Sequence, residues 1–340
     1  MDRRNFAKVA AATAAAAVAA KVGVDVIEGE AEVAATQPAP GEVNMSIPPK
    51  VHRPVSRVVV AERKLEGAGF PVRRPLPSAA LRMMDPFVLV DEMGPIDWPP
   101  GEALGAPGHP HRGFETVSYI IEGGVAHADS LGNRGRLGPG DVQWMTAGSG
   151  IVHAELPPPE LKRAGGRMHA FQIWVNLPRR LKMTSPRYQE LVGKKFPEAT
   201  SADGLARVRV VAGEALGISA AIATHTPIVF QHWTLQPGAR VEQPIGPDHN
   251  AGAYVFGGGG VFGGDDRPVD DGQLALFGAG DTIVMSVDKA AKGPMDVLIL
   301  AGVPHDEPVV QYGPFVMNSM DEIRQAFADY RSGKMGSVPG

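Results

Sequence analysis

The sequence predicts an all-β fold: two antiparallel, jelly-roll-like β-barrels in one chain, closed by a short C-terminal helix. Three observations carry that expectation. Gly (42) and Pro (31) are abundant while aromatics are few, and Gly and Pro between short apolar runs mark strands joined by turns. Such runs recur at short intervals in both halves, with a polar break between them. Turn motifs also repeat: Gly123-Gly124 is echoed by Gly257-Gly258-Gly259-Gly260, and Gly138-Pro139-Gly140-Asp141 by Gly278-Ala279-Gly280-Asp281, a weak internal repeat.

Taken in order, the chain begins with an address rather than a structural element. Arg3-Arg4-Asn5-Phe6 followed by the Ala-rich stretch from Val9 to Ala20 has the order of a twin-arginine export signal, so residues 1–35 are read as that signal and the protein as periplasmic or exported. The apolar run is too short to span a bilayer. Cleavage would follow Ala34 or Ala35, although without a clear Ala-x-Ala site retention as an anchor stays open. Residues 36–50, with the proline-containing stretch Gln37 to Pro49, read as a linker. Twin-arginine export carries folded proteins, which would let a metal be loaded before export.

The first barrel is expected over 51–178. Its strands include Arg57-Val58-Val59-Val60, Phe87 to Glu92, and Phe171 to Asn176, whose alternation marks one buried face. Residues 179–204 read as a polar connection, helical or irregular. The second barrel is expected over 205–335, with strand-like runs at Ala206 to Ala212, Ala220 to Thr224, Ile228 to Leu235, Ala253 to Phe256, Ala275 to Phe277 and Val297 to Leu300. Ser319-Met320-Asp321-Glu322 fits a capping box, and Ile323, Ala326, Phe327 and Tyr330 share one side of the helix it would start.

The chemistry concentrates in two short stretches. On a strand, side chains two apart point to one face, so His109 with His111, and His153 with Glu155, can each aim two donors at one point. Three imidazoles and a carboxylate suit a first-row divalent ion. An ion preferring six positions would keep about two open for water, dioxygen or substrate, whereas zinc could close the same donors into a structural site. The second half offers only Asp248-His249-Asn250 and no matching His-x-Glu. Pro304-His305-Asp306-Glu307 does contain His-x-Glu but lacks a companion pair, and reads as surface or capping chemistry.

Composition narrows the classes further. A formal net charge of −4 argues against a general nucleic-acid surface. With no cysteine, disulfides, iron–sulfur ligation and thiol catalysis are excluded.

Leu104 to Val117, Glu122 to His127 and Pro139 to Gly148 resemble the pirin family of the cupin superfamily. The likeness continues through Phe171 to Pro178, Tyr188-Gln189-Glu190, Gly213 to Ile218 and Gly313 to Asn318. It implies a bicupin that binds one Fe²⁺ per chain through His109, His111, His153 and Glu155, with Mn, Cu, Ni or Zn as alternative ions. It also implies quercetin 2,3-dioxygenase activity, the oxidative ring cleavage of a flavonol with release of carbon monoxide. The partners would then be a phenolic or flavonol substrate and O2, with Glu155 as the candidate base and the chain acting as a monomer. In this pattern the carboxylate ligand comes from His-x-Glu, which leaves Glu115 to orient an imidazole or a bound water. His127 is assigned to structure or the pocket rim, and Phe114, Trp144, Met145 and Phe171 to core or pocket wall. A second reading also follows, because eukaryotic members are iron-dependent nuclear partners of transcription factors: a redox-sensing or protein-binding module without turnover. An exported protein has no access to chromatin, which counts against the nuclear form of that role.

Overall fold

The computed structural model describes residues 50–193 and 196–338. The export signal read over 1–35, and the linker over 36–50 except its last residue, lie outside the described residues. Among the described residues no helix is long and apolar enough to cross a membrane.

The first half comprises β1 (Val55–Val60), β2 (Glu62–Glu66), β3 (Phe70–Leu76), β4 (Phe87–Trp98), β5 (Ala106–His111), β6 (Phe114–Glu122), β7 (Val125–Asp129), β8 (Arg134–Leu137), β9 (Val142–Thr146), β10 (Ile151–Leu156), the short helix α1 (Pro159–Ala164), β11 (Gly166–Asn176) and β12 (Arg187–Leu191). The second runs through β13 (Glu198–Thr200), β14 (Ala206–Ala212), β15 (Glu214–Ala215), β16 (Ile218–Ser219), β17 (Ile228–Leu235), β18 (Arg240–Pro244), β19 (Asn250–Gly257), β20 (Gly259–Phe262), β21 (Arg267–Asp270), β22 (Gln273–Phe277), β23 (Thr282–Ser286) and β24 (Met295–Gly302). A C-terminal arm of β25 (Val310–Tyr312), β26 (Phe315–Met317) and α2 (Met320–Arg331) completes the chain.

Each barrel joins a seven-stranded sheet to a four-stranded one. In the first the orders are β12-β9-β6-β11-β4-β3-β2 and β5-β10-β7-β8; in the second they are β1-β22-β19-β24-β17-β14-β13 and β18-β23-β20-β21. The all-β, bicupin expectation is met. Sheet membership differs from the sequence reading at both ends of the chain, however. β1, read as part of the first barrel, pairs with β22 of the second, and the arm read with the second barrel packs on the first, burying Phe315, Met317, Ile323 and Ala326 against Val152 of β10. The connection carries strands too, β12 on β9 and β13 on β14. In α2, Ser319 caps Glu322 N and Ile323 and Ala326 are buried, whereas Tyr330 is exposed.

The large sheets face each other. Val117, Tyr119, Trp144, Phe171 and Ile173 of the first pack with Phe230, Tyr254, Leu298 and Leu300 of the second, while the second barrel's own interior is filled by residues such as Trp233, Val255, Phe262 and Ile299. Only the first of the two turn echoes is topologically equivalent. Gly123 and Gly258 both turn from the large sheet into the small one, both with positive φ, and a Cβ at either would collide with a backbone carbonyl, of Arg167 and of Pro294. Gly138 to Asp141 joins β8 to β9, whereas Gly278 to Asp281 joins β22 to β23, a different corner.

The equivalent turns expose a pseudo-twofold relation in the interface. Tyr119 of β6 and Tyr254 of β19 each stand four residues before that glycine and each reaches into the opposite barrel. Tyr119 Oη meets His232 Nδ1 at 2.7 Å, and Tyr254 donates to Glu92 Oε2 at 2.6 Å. Glu92 is fully buried and also accepts from Arg73 at 2.7 and 2.6 Å and meets His169 Nε2 at 2.9 Å. Burial pushes the Tyr119 hydroxyl up to about 12, so it stays a neutral donor. Replacing Tyr254 by Phe removes one donor from a buried carboxylate and should cost about 1–3 kcal/mol, read as a lower urea midpoint with an unchanged m-value.

Candidate metal centre

β5 lies at the edge of its sheet, which is where a strand can carry Pro107 and Pro110 without leaving ladder bonds unmade. It runs antiparallel to β10 with His109 opposite His153 and His111 opposite Ile151. Partners directly opposite share a face, so all three imidazoles enter the first barrel. Their ring centroids are 4.7, 4.4 and 5.0 Å apart, and one ligand atom from each lies within 4.8 Å of the others.

The surroundings of these rings fit a metal ion. His109 Nδ1 contacts Pro107 O at 2.8 Å and His111 Nδ1 contacts Pro314 O at 3.3 Å. A carbonyl can only accept, so each Nδ1 carries the proton and each Nε2 keeps its lone pair for a ligand bond. His153 is 1% exposed, and neither of its ring nitrogens has a protein partner, a costly arrangement for an imidazole with nothing to bind. Burial, and then the charge of neighbouring imidazoles, hold His111 and His153 well below the ordinary histidine range, in the neutral form a metal requires.

Glu155 stands beside the triad. The β5–β10 register shifts between His153 and Glu155, which leaves Glu155 Oε2 3.9 Å from His153 Nε2 while Oε1 accepts from Ser118 Oγ at 2.7 Å. A cavity of about 560 Å³ opens onto His109, His111, Glu155, Gln172 and Trp174, large enough for a drug-sized ligand. An apolar crevice lined by Phe70, Trp98, Leu104, Val125 and Met168 meets Glu155 as well.

Glu115 does not serve the centre as expected. Along β6, Ser118 reaches Glu155 and Thr116 reaches Gln172, so alternation sends Glu115, Val117 and Tyr119 to the opposite face, toward the second barrel. There Glu115 accepts from Thr146 Oγ1 at 2.6 Å, with burial raising its pKa. The same alternation sorts the large apolar side chains: Phe171 and Trp144 belong to the inter-barrel core, and Met145 to a small cluster with Ile151. Phe114 contacts the His111 ring at 5.0 Å. His127 lies inside the barrel opposite Glu155, its Nε2 at 3.2 Å from Glu190 Oε1. Trp174, whose ring is 5.1 Å from His111, and Gln172 were missed. Their signal is the alternating run Phe171 to Asn176, whose even-numbered positions form the face toward the site. Of the lone His-x-Glu, His305 contacts Thr226 and Glu307 caps Arg179 N, in line with a capping role. In the second barrel the places of the histidine-bearing pairs are taken by Val241 opposite Met285 and Gln243 opposite Ile283, and Val241, Ile283 and Met285 join its apolar filling.

Two barrels packed through their large sheets, one filled and one holding a three-histidine centre, define a bicupin with a single candidate metal site among the described residues. The family models "Pirin" and "Pirin C-terminal cupin domain" match residues 69–175 and 230–336. Pirin of Rattus norvegicus is 44% identical over 285 residues, covering 83% of this chain and 93% of its own, and Pirin-like protein 2 of Arabidopsis thaliana is 42% identical over 290, covering 84% and 86%. A crystal structure of quercetin 2,3-dioxygenase from Acinetobacter baumannii superposes with a TM-score of 0.78 at 34% identity, covering 84% of this chain and 99% of that one. The chain belongs to the pirin family.

The buried neutral imidazoles have a consequence for metal-free protein. Unfolded histidine takes up a proton near about pH 6.5, and folded His111 and His153 do so only at much lower pH, so below that value the unfolded state binds more protons and stability falls as pH falls. Urea unfolding of metal-free protein should therefore weaken between about pH 7.5 and about pH 5.5, and a His111→Gln/His153→Gln double variant should show a flatter decline.

Proposed function

We propose that this protein is a metal-dependent dioxygenase acting on flavonols or related phenolic compounds, with His109, His111, His153 and Glu155 as ligands of one Fe²⁺. The observation that carries the reading is His153, buried without a partner between two imidazoles whose Nδ1 atoms are already held. Similarity to a structure titled quercetin 2,3-dioxygenase supports the activity, and the same donors would also accept Mn, Cu, Ni or Zn.

Bound here, the ion would supply Lewis acidity toward a phenolic oxygen and a path for electrons between substrate and dioxygen. The protein's part is placement and proton handling. Ser118 fixes one oxygen of Glu155 and leaves Oε2 without a hydrogen-bond donor among the described residues, ready to accept the proton of a substrate hydroxyl. The cavity of about 560 Å³, walled by Trp174 and Gln172, would take the aromatic substrate, and the small apolar crevice beside Glu155 gives that carboxylate a water-poor flank.

Protein purified by its own export route should contain about one iron per chain and take up oxygen when quercetin is added. His153→Ala should lose both metal and uptake. Glu155→Gln should fold and lose uptake by at least about a hundredfold, the usual scale for removing a positioned base; full activity in that variant would remove Glu155 from the role. Metal without any uptake would favour the sensing or binding module.

Export by the twin-arginine route is part of the same proposal and rests on Arg3-Arg4-Asn5-Phe6 with the Ala-rich run that follows. An Arg3→Lys/Arg4→Lys variant should accumulate in the cytoplasm, followed by cell fractionation; unchanged export would rule that route out.

A further inference from the structure

The C-terminal arm reaches the centre from the far end of the sequence. Pro314, in the turn between β25 and β26, supplies the carbonyl that meets His111 Nδ1 at 3.3 Å. No side chain of the arm belongs to the three-histidine cluster; Gln311, Gly313 and Pro314 line the cavity before it, and the arm meets the cluster itself through the contact that holds His111. Three devices dock it there. Val316 N donates to Arg112 O at 3.1 Å, and a Cβ on Gly113 would collide with Val316 O, so glycine is required for this approach. Lys182 Nζ donates to Gly113 O at 2.8 Å, Asn176 Oδ1 at 2.6 Å and Val316 O at 2.9 Å. Arg112 donates to Ser149 O at 2.7 Å and to Asp329 Oδ2 at 2.9 Å, and Asp329 Oδ1 gathers Gln325 at 2.9 Å and Lys334 at 2.7 Å within the arm.

Lys182 is the unusual member. It is 1% exposed, and all three of its N–H donors go to neutral oxygens rather than to a carboxylate. A buried ammonium is an expensive tie between strands that an apolar side chain could pack. What the ammonium does that an apolar chain cannot is bind three oxygens from three segments at once: the turn after His111, the end of β11, and the arm. Two of the three oxygens it joins, on Gly113 and Val316, lie two residues from His111 and from Pro314, the two partners of the contact.

We propose that Lys182 and the Arg112–Asp329 pair are positioning residues for the metal, docking the C-terminal arm so that the Pro314 carbonyl orients His111. The inference rests on the reading of His111 as a ligand. A carbonyl on the remote nitrogen of a ligating imidazole fixes its tautomer and direction, and losing such a partner costs about 10- to 100-fold in metal affinity.

The test is a Co²⁺ titration of the metal-free full chain against a competing chelator, read by visible absorption, for wild type, Lys182→Met, Asp329→Asn and Phe262→Leu. Phe262 lies in the second barrel's filled interior and reports on lost stability alone. Both arm variants should bind Co²⁺ at least about tenfold more weakly, with an altered absorption band, while Phe262→Leu binds as wild type. Wild-type affinity and spectrum in a folded arm variant overturn the proposal, as does an equal loss in Phe262→Leu. Should Lys182→Met fail to fold, Asp329→Asn, which leaves the Lys182 contacts intact, decides the question by itself. A wild-type chain that binds no Co²⁺ instead defeats the ligand assignment, and this inference with it.

Discussion

The antiparallel register of β5 and β10 is the constraint on which the centre depends. It places His109 directly across from His153, and a slip of one residue would send the whole set to the outer face. The register is held from both sides, by the β10–β7 ladder and by the docked arm. The irregularity after His153 matters equally, because it sets Glu155 beside the triad and within reach of Ser118 rather than in strict step along the strand. Side chains on a paired ladder behind a rigid sheet are positioned more tightly than side chains on loops, and the cavity before them is walled largely by strands β3, β4, β5 and β11.

Face-to-face packing of the two large sheets has a second effect. It gives central strands of the first barrel's large sheet, such as β6, two buried faces, one toward the site and one toward the other barrel. Burial alone therefore does not distinguish a site residue from an interface residue: Glu115 and Ser118 are both buried, three positions apart on β6, and serve different surfaces. The interface is polar where each tyrosine crosses, and a buried carboxylate such as Glu92 demands its full set of donors. That requirement fixes the mutual register of the barrels more sharply than apolar contact does, because apolar surfaces can slide and a buried carboxylate that takes one of its four hydrogen bonds from Tyr254 across the interface cannot.

The two halves also exchange their ends. β1 completes the second barrel's sheet, and the arm covers the first barrel's histidine-bearing strands. Neither half is whole without the other. The second barrel has the same strand plan with Val241, Met285 and Ile283 where the first has its histidine-bearing pairs, so a shared topology supports one chemical centre and one apolar core.

The all-β plan and the His109-x-His111 and His153-x-Glu155 pairs were legible in the sequence, because strand alternation and turn residues are local properties and two-residue spacing needs no long-range information. The same spacing could not place Glu115, since which face of β6 looks into the barrel depends on a sheet formed by distant residues. Nor could it find Gln172 and Trp174 beside the centre, the true partner of β1, or the contact between His111 and Pro314, which joins positions 203 apart. What the sequence alone determined is the set of donors and the class of fold. Only the tertiary structure decided which faces meet, because that choice belongs to the packing of whole sheets.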